Sequence, residues 1–260
     1  MTAGVTLVAS QPPIRNAAGS TVDGVWMPLA DSGYGNPMSY HLDSDDFMPY
    51  RSTDYTATTT GTGAAIVGIA GDGGLITMSA GTTASVVSLQ RPFADYTINT
   101  QPKKVFFEAR FRLNQLTAIS SVIIGLIQTT ATPATVTDGV YLSMTGAGVW
   151  TINSMIGSVL TSVTIPTAAW TFAANANIDV GFYITRLGDV LAFLDTQLIG
   201  YIPQSQIGDV ANGPLNAGAV ARIIGPTLTT ANLNPTIAIN TSGTSTTVMT
   251  LDLFQAQKER

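Results

Sequence analysis

The chain has 260 residues, of which 45% are hydrophobic and only 10% charged, against about 25% charged in an ordinary soluble domain, and its net charge is −5. A chain with no basic field releases no counterions from a nucleic acid, so nucleic-acid binding is set aside. With no Cys there is no disulfide framework, no zinc–thiolate site and no Cys nucleophile.

The first stretch is broken by Gln11-Pro12-Pro13, by Asn16 to Ser20 and by Gly33-Tyr34-Gly35-Asn36-Pro37, and no regular element survives such punctuation. Yet Trp26, Met27, Leu29, Tyr34, Met38 and Tyr40 are too apolar for a disordered tail. Residues 1–44 therefore read as an extended arm that needs a surface to lie on, either a partner's or that of its own domain. Residues 1–13 have no positively charged start followed by an apolar stretch, and the apolar run Val122 to Ile127 is too short to cross a bilayer. The expectation is a soluble protein, made in the cytoplasm, with no membrane role.

From Asp45 onward, β-branched residues and Gly dominate in short runs separated by turn clusters, which is the spacing of a sandwich or barrel. Ala64 to Ile69, the turn Gly71-Asp72-Gly73-Gly74 and Leu75 to Ser79 form a hairpin, and Ala84 to Gln90 follows. Lys104 to Leu113 is the clearest strand. Val105, Phe107, Ala109, Phe111 and Leu113 fall on one face, and Lys104, Phe106, Glu108, Arg110 and Arg112 on the other. Ser121 to Gln128 and Gly139 to Met144 read as buried strands, and Val149 to Ile152 with Ser158 to Ile165 as a hairpin. Ile178 to Arg186, Val190 to Leu194 and Gln197 to Ile202 are joined by tight turns. A short helical turn is expected over Pro203 to Val210. Ala219 to Ile224, Thr236 to Asn240 and Thr247 to Gln255 complete the set.

The order of these elements is familiar. Asp45-Asp46-Phe47 precedes a Gly-rich hairpin, followed by Val105 to Arg110, Ile124 to Leu126, Asp138 to Leu142, Val190 to Gly200 and Thr250 to Phe254. This resembles the concanavalin-A-like jelly-roll sandwiches among the structural proteins of tailed bacteriophages. The resemblance covers residues 45–260. It implies an all-β jelly-roll antiparallel β-sandwich after the arm, with the last strand returning beside the first, so that Leu251 to Phe254 come near Phe47. It also implies one of two roles. The first is a head decoration (cement) protein, a homotrimer on the outer surface of the virion that holds the major capsid protein lattice. The second is a glycan-binding module on a tail or head appendage. On the first, the candidate contacts are Val25, Trp26, Met27, Leu29, Tyr34 and Tyr40 of the arm, with Lys104, Arg110 and Arg112 as a cationic strip for an acidic partner surface or a solvated strand face.

Catalytic chemistry is thin. Glucanases of this fold set acidic residues at alternate positions of one strand, because glycoside hydrolysis needs two carboxyl groups at one sugar. Here Glu is found only at 108 and 259, and Glu108 shares its face with Arg110 and Arg112, a pattern that suits an ion pair over a raised pKa. The single His, His41, lies in the arm, a poor platform for a Ser-His-Asp arrangement. Asp43, Asp45 and Asp46 are the densest acidic cluster, without the spacing of a calcium loop, and read as a solvated boundary. Trp150, Trp170, Tyr141 and Tyr201 could stack on a sugar or pack as core and rim. No enzyme, cofactor or metal is expected.

Overall fold

The computed structural model describes residues 40–45, 47, 50–69, 74–92, 96, 103–130, 132–166, 170–185, 187–195, 197–203, 231–243 and 245–259. Its strands are β1 (Tyr40–Asp45), β2 (Thr56–Thr60), β3 (Ala65–Ile69), β4 (Leu75–Ala80), β5 (Ser85–Gln90), β6 (Val105–Leu113), β7 (Ile119–Gln128), β8 (Gly139–Thr145), β9 (Trp150–Ile156), β10 (Val159–Thr164), β11 (Ile178–Ile184), β12 (Val190–Leu194), β13 (Gln197–Ile202), β14 (Leu233–Thr241) and β15 (Thr247–Glu259). They form two antiparallel sheets. The first has eight strands in the order β13-β12-β11-β6-β15-β4-β3, with β1 also on β15, and the second has seven in the order β10-β9-β8-β7-β14-β5-β2.

Alternation along β6 explains how the two sheets meet. Val105, Phe107, Ala109, Phe111 and Leu113 are all fully buried between the sheets. Phe107 stacks on Phe182 of β11 at 5.2 Å between centroids and meets Phe254 of β15 edge-on at 5.6 Å. The facing layer comes from Val122, Ile124 and Leu126 of β7, Leu142 and Met144 of β8, and Trp150 and Ile152 of β9. Each such side chain contributes roughly 1.5–3 kcal/mol by leaving water.

β15 serves as the hinge of the topology. Along Thr247 to Leu251 it pairs with β4, and from Phe254 onward the same edge pairs with β1. A bulge between Leu251 and Leu253 lets both Leu251 and Phe254 face the core. Asp45 lies opposite Phe254, so the last strand does return beside the first, two residues from Phe47. The expected boundary after residue 44 falls inside β1, because Tyr40 to Ser44 are already paired along β15.

Apart from β2, which the sequence reading did not mark, the remaining elements follow that reading closely. β3 and β4 pair as the hairpin (Ile69 opposite Leu75), β9 and β10 as the second hairpin, and β11, β12 and β13 in succession. The turn residues 70–73 lie outside the described residues, as do most of Pro203 to Val210 and all of Ala219 to Ile224.

Candidate functional site

Directly opposed residues of an antiparallel pair project to the same face of the sheet. The register therefore lays out the outer face of the eight-stranded sheet as rows. One runs Tyr201, Leu191, Tyr183, Phe106, Gln257, and the next runs Leu198, Phe193, Gly181, Glu108, Gln255. Burial is graded along them. Phe106, Glu108 and Gln257 are at most 3% exposed, while Tyr201 is 48% and Leu198 57% exposed at the β13 end. Phe106 lies flat on Tyr183, with centroids 4.5 Å apart and the rings 13° from parallel.

At the covered end, Gln255 Nε2 donates to Glu108 Oε2 at 2.8 Å. Burial, then the nearby Asp179 carboxylate, push the Glu108 carboxyl up to about 8, against the opposing pull of Arg110 and of the Gln255 hydrogen bond. The ion pair expected between Glu108 and its strand neighbours does not form. Arg110 instead grips Asp179 of β11 with Nε at 2.6 Å and Nη2 at 3.3 Å, and Arg112 Nε donates to Asn177 at 2.5 Å. Residues two apart on one strand are farther from each other than cross-strand neighbours, so each arginine takes an oxygen from the β11 side. Lys104 is half-buried, and its backbone N–H donates to Glu259 Oε2 at 3.2 Å.

The open end is built by the β11–β12 turn. Thr185 Oγ accepts from the N–H groups of Leu187 and Asp189, and Thr185 N–H donates to Asp189 O at 2.9 Å. Gly188 sits at φ 91°, where a side chain would be strained. This braced turn holds Asp189 beside β13, and Tyr201 OH donates to Asp189 Oδ1 at 3.2 Å. Local desolvation, then the carboxylate, raise the Tyr201 phenol above its ordinary value. Leu187, in the same turn, is 75% exposed.

Of the four aromatics that could have stacked on a sugar, Trp150 and Tyr141 are buried. Trp170 is half-buried, edge-on to Trp150 at 6.0 Å and to Phe172 at 6.1 Å. Tyr201 is the open one.

Of the acidic cluster, Asp43 and Asp45 are not a solvated boundary. Arg91, just past β5 in the other sheet, reaches Asp43 at 2.5 Å and Asp45 at 3.5 Å. Tyr55 OH donates to Asp45 Oδ2 at 2.5 Å, and the Arg91 guanidinium stands 5.1 Å over the Tyr55 ring. Tyr96 OH donates to the Ala256 carbonyl at 3.0 Å. These groups tie β1 and β15 across to the second sheet. Sequence reading missed them because Arg91, Tyr55 and Tyr96 carry no local pattern. Asp46 and the arm candidates Val25, Trp26, Met27, Leu29 and Tyr34 lie outside the described residues, and of Tyr40 and His41 only the backbone pairing, opposite Glu259 and Lys258, is described. Among the described residues no three His, Asp or Glu side chains converge as metal ligands.

The class of protein is thus an antiparallel jelly-roll β-sandwich that presents, at the β13 end of its eight-stranded sheet, an exposed tyrosine bonded to a carboxylate. No family model and no curated protein matches the sequence. Among solved structures, a protein of unknown function from Shewanella oneidensis MR-1 is similar at 11% identity and a TM-score of 0.52, over 85% of this chain and 87% of that one. Botulinum neurotoxin type C, described as depending on two ganglioside molecules to enter cells, is similar at 9% identity and a TM-score of 0.49, over 84% of this chain and 47% of that one. The binding domain of botulinum neurotoxin DC in complex with rat synaptotagmin II gives 9%, 0.46, 78% and 43%. This chain spans under half the length of those toxin chains. At such identities the likeness is one of fold.

Proposed function

We propose that the chain is a non-catalytic recognition domain that binds carbohydrate at the open end of this face, beside Tyr201. The observation that carries the reading is the pairing of an exposed aromatic ring with a fixed carboxylate. Tyr201 offers a face to the apolar C–H side of a pyranose, and Asp189, held by the Thr185 turn, accepts hydrogen bonds from its hydroxyls. The buried Glu108 has no open path to a substrate, which supports binding over hydrolysis. The element order shared with tailed-bacteriophage structural proteins supports a place on the virion exterior, on a tail or head appendage.

The test is an array of immobilised oligosaccharides probed with the purified full chain and with Tyr201→Ala. Truncating a half-exposed surface side chain is expected to change stability by no more than about 1 kcal/mol. Binding to a defined set of glycans should fall at least tenfold. An array with no specific binding at millimolar glycan, or binding indifferent to Tyr201, overturns the proposal.

A second reading is head decoration, as a homotrimer cementing the major capsid protein. It is favoured by one observation. The strands of the seven-stranded sheet carry no charged residue on either face, as suits a surface held against neutral protein. Cryo-electron microscopy of the particle distinguishes the two, since decoration requires density for the sandwich at repeated lattice positions across the head.

A further inference from the structure

Among the described residues, the two sheets share a flank where each ends in a strand with no further strand paired to it. β3 is the outer strand of one sheet and β2 of the other, and residues 61–64 join the two. β3 is exposed from Val67 to Ile69, and β2 at every position except Thr58. On β3, Val67 is 56% and Ile69 42% exposed, while Thr56, Ala57, Thr59 and Thr60 of β2 are exposed in turn. A free strand edge offers unpaired N–H and C=O groups, and proteins that stay monomeric blunt such edges with Lys, Pro, bulges or inward charges. None of these is present here. Between Tyr55 and Gln90 the one charged residue is Asp72, there is no Pro, and the β2–β5 and β3–β4 pairings run without a register shift. At the opposite flank a bulge interrupts the β12–β13 pairing and Pro203 follows β13 directly.

We propose that this flank is a self-association surface, in which β3 pairs antiparallel with β3 of a second copy about a twofold axis at Val67 and so continues the eight-stranded sheet across two molecules. That register sets Val67 against Val67 of the second copy and Ala65 against Ile69, covering both exposed β-branched side chains. The second copy is the occupant because of charge. A twofold contact sets each group near its own image, so any charge close to the axis faces its like. A chain of net charge −5 can approach itself at low electrostatic cost only where it is neutral, and β2 and β3 have no charged residue.

The experiment is sedimentation of the full chain at tens of micromolar, beside Val67→Lys and Leu198→Lys. The expected result is a dimer, or an even multiple, for the parent and for Leu198→Lys, and a loss of that association by at least tenfold in Kd for Val67→Lys, with unchanged circular dichroism. Because the chain has no Cys, Val67→Cys supplies a second readout that survives misfolding of the lysine variant. Thiols on directly opposed residues are within disulfide reach, so mild oxidation should give a covalent dimer, and Leu198→Cys should not. A monomeric parent overturns the proposal. So does an association unaffected by Val67→Lys, or a Val67→Cys chain that oxidises no faster than Leu198→Cys.

Discussion

Replacing Arg91 with alanine is expected to destabilise the fold by about 2–4 kcal/mol, close to what breaking a buried ion pair costs by orphaning the surviving charge. Asp43 and Asp45 both depend on this guanidinium, and the side chains of all three are only 14–17% exposed. Asp45 would keep the Tyr55 hydroxyl. Urea unfolding followed by tryptophan fluorescence measures the loss. A triple variant that also carries Asp43→Asn and Asp45→Asn should recover part of it, because the penalty lies in two partly buried negative charges left without the guanidinium as much as in the missing contact. A cost below about 1 kcal/mol would mean that water reaches the cluster freely and that the Arg91 ion pairs contribute little to holding the two sheets together at this end.

The second large effect is a pH dependence centred on Glu108. Its carboxyl titrates near 8 in the folded protein, from an ordinary value of 4.5. Below about pH 4.5 it is protonated in both folded and unfolded chains and shifts nothing. As the pH rises from there to about 8, the unfolded chain gives up the proton while the folded chain holds it, so stability declines across that window and levels off above it. The decline is on the order of a few kcal/mol. Glu108→Gln has the same shape and no proton to lose. The difference in unfolding free energy between the variant and the parent should therefore be near zero at pH 4.5 and grow in the variant's favour up to pH 8 to 9. A flat difference across that range would mean that Glu108 is ionised in the fold and that its neighbours compensate the charge.

Both effects depend on contacts that no local pattern announces, and the same division runs through the whole chain. Composition and period-two alternation were enough to settle the all-β class and the inward face of β6, because burying every second side chain is the one way such a run can leave water. The turn clusters placed the hairpins for a similar reason, since Gly and Asp at fixed offsets permit few other backbones. The family resemblance carried by element order implied the jelly-roll sandwich and the return of the last strand beside the first. The sequence could not say which oxygen each cation would take. Glu108 and Arg110 are neighbours in sequence, yet Arg110 went to Asp179 and Glu108 to Gln255, because the short distances in a sheet run across strands. Arg91 and Asp43 are far apart along the chain and meet only because the two sheets close on each other. Tyr201 and Trp150 look alike as candidate stacking residues. Their difference in exposure was decided by position in the sandwich, with Trp150 facing the opposite sheet and Tyr201 pointing outward from an edge strand. Local sequence determines which face of a strand turns inward, but exposure and pairing depend on what lies opposite, and that is fixed only when the distant strands come together.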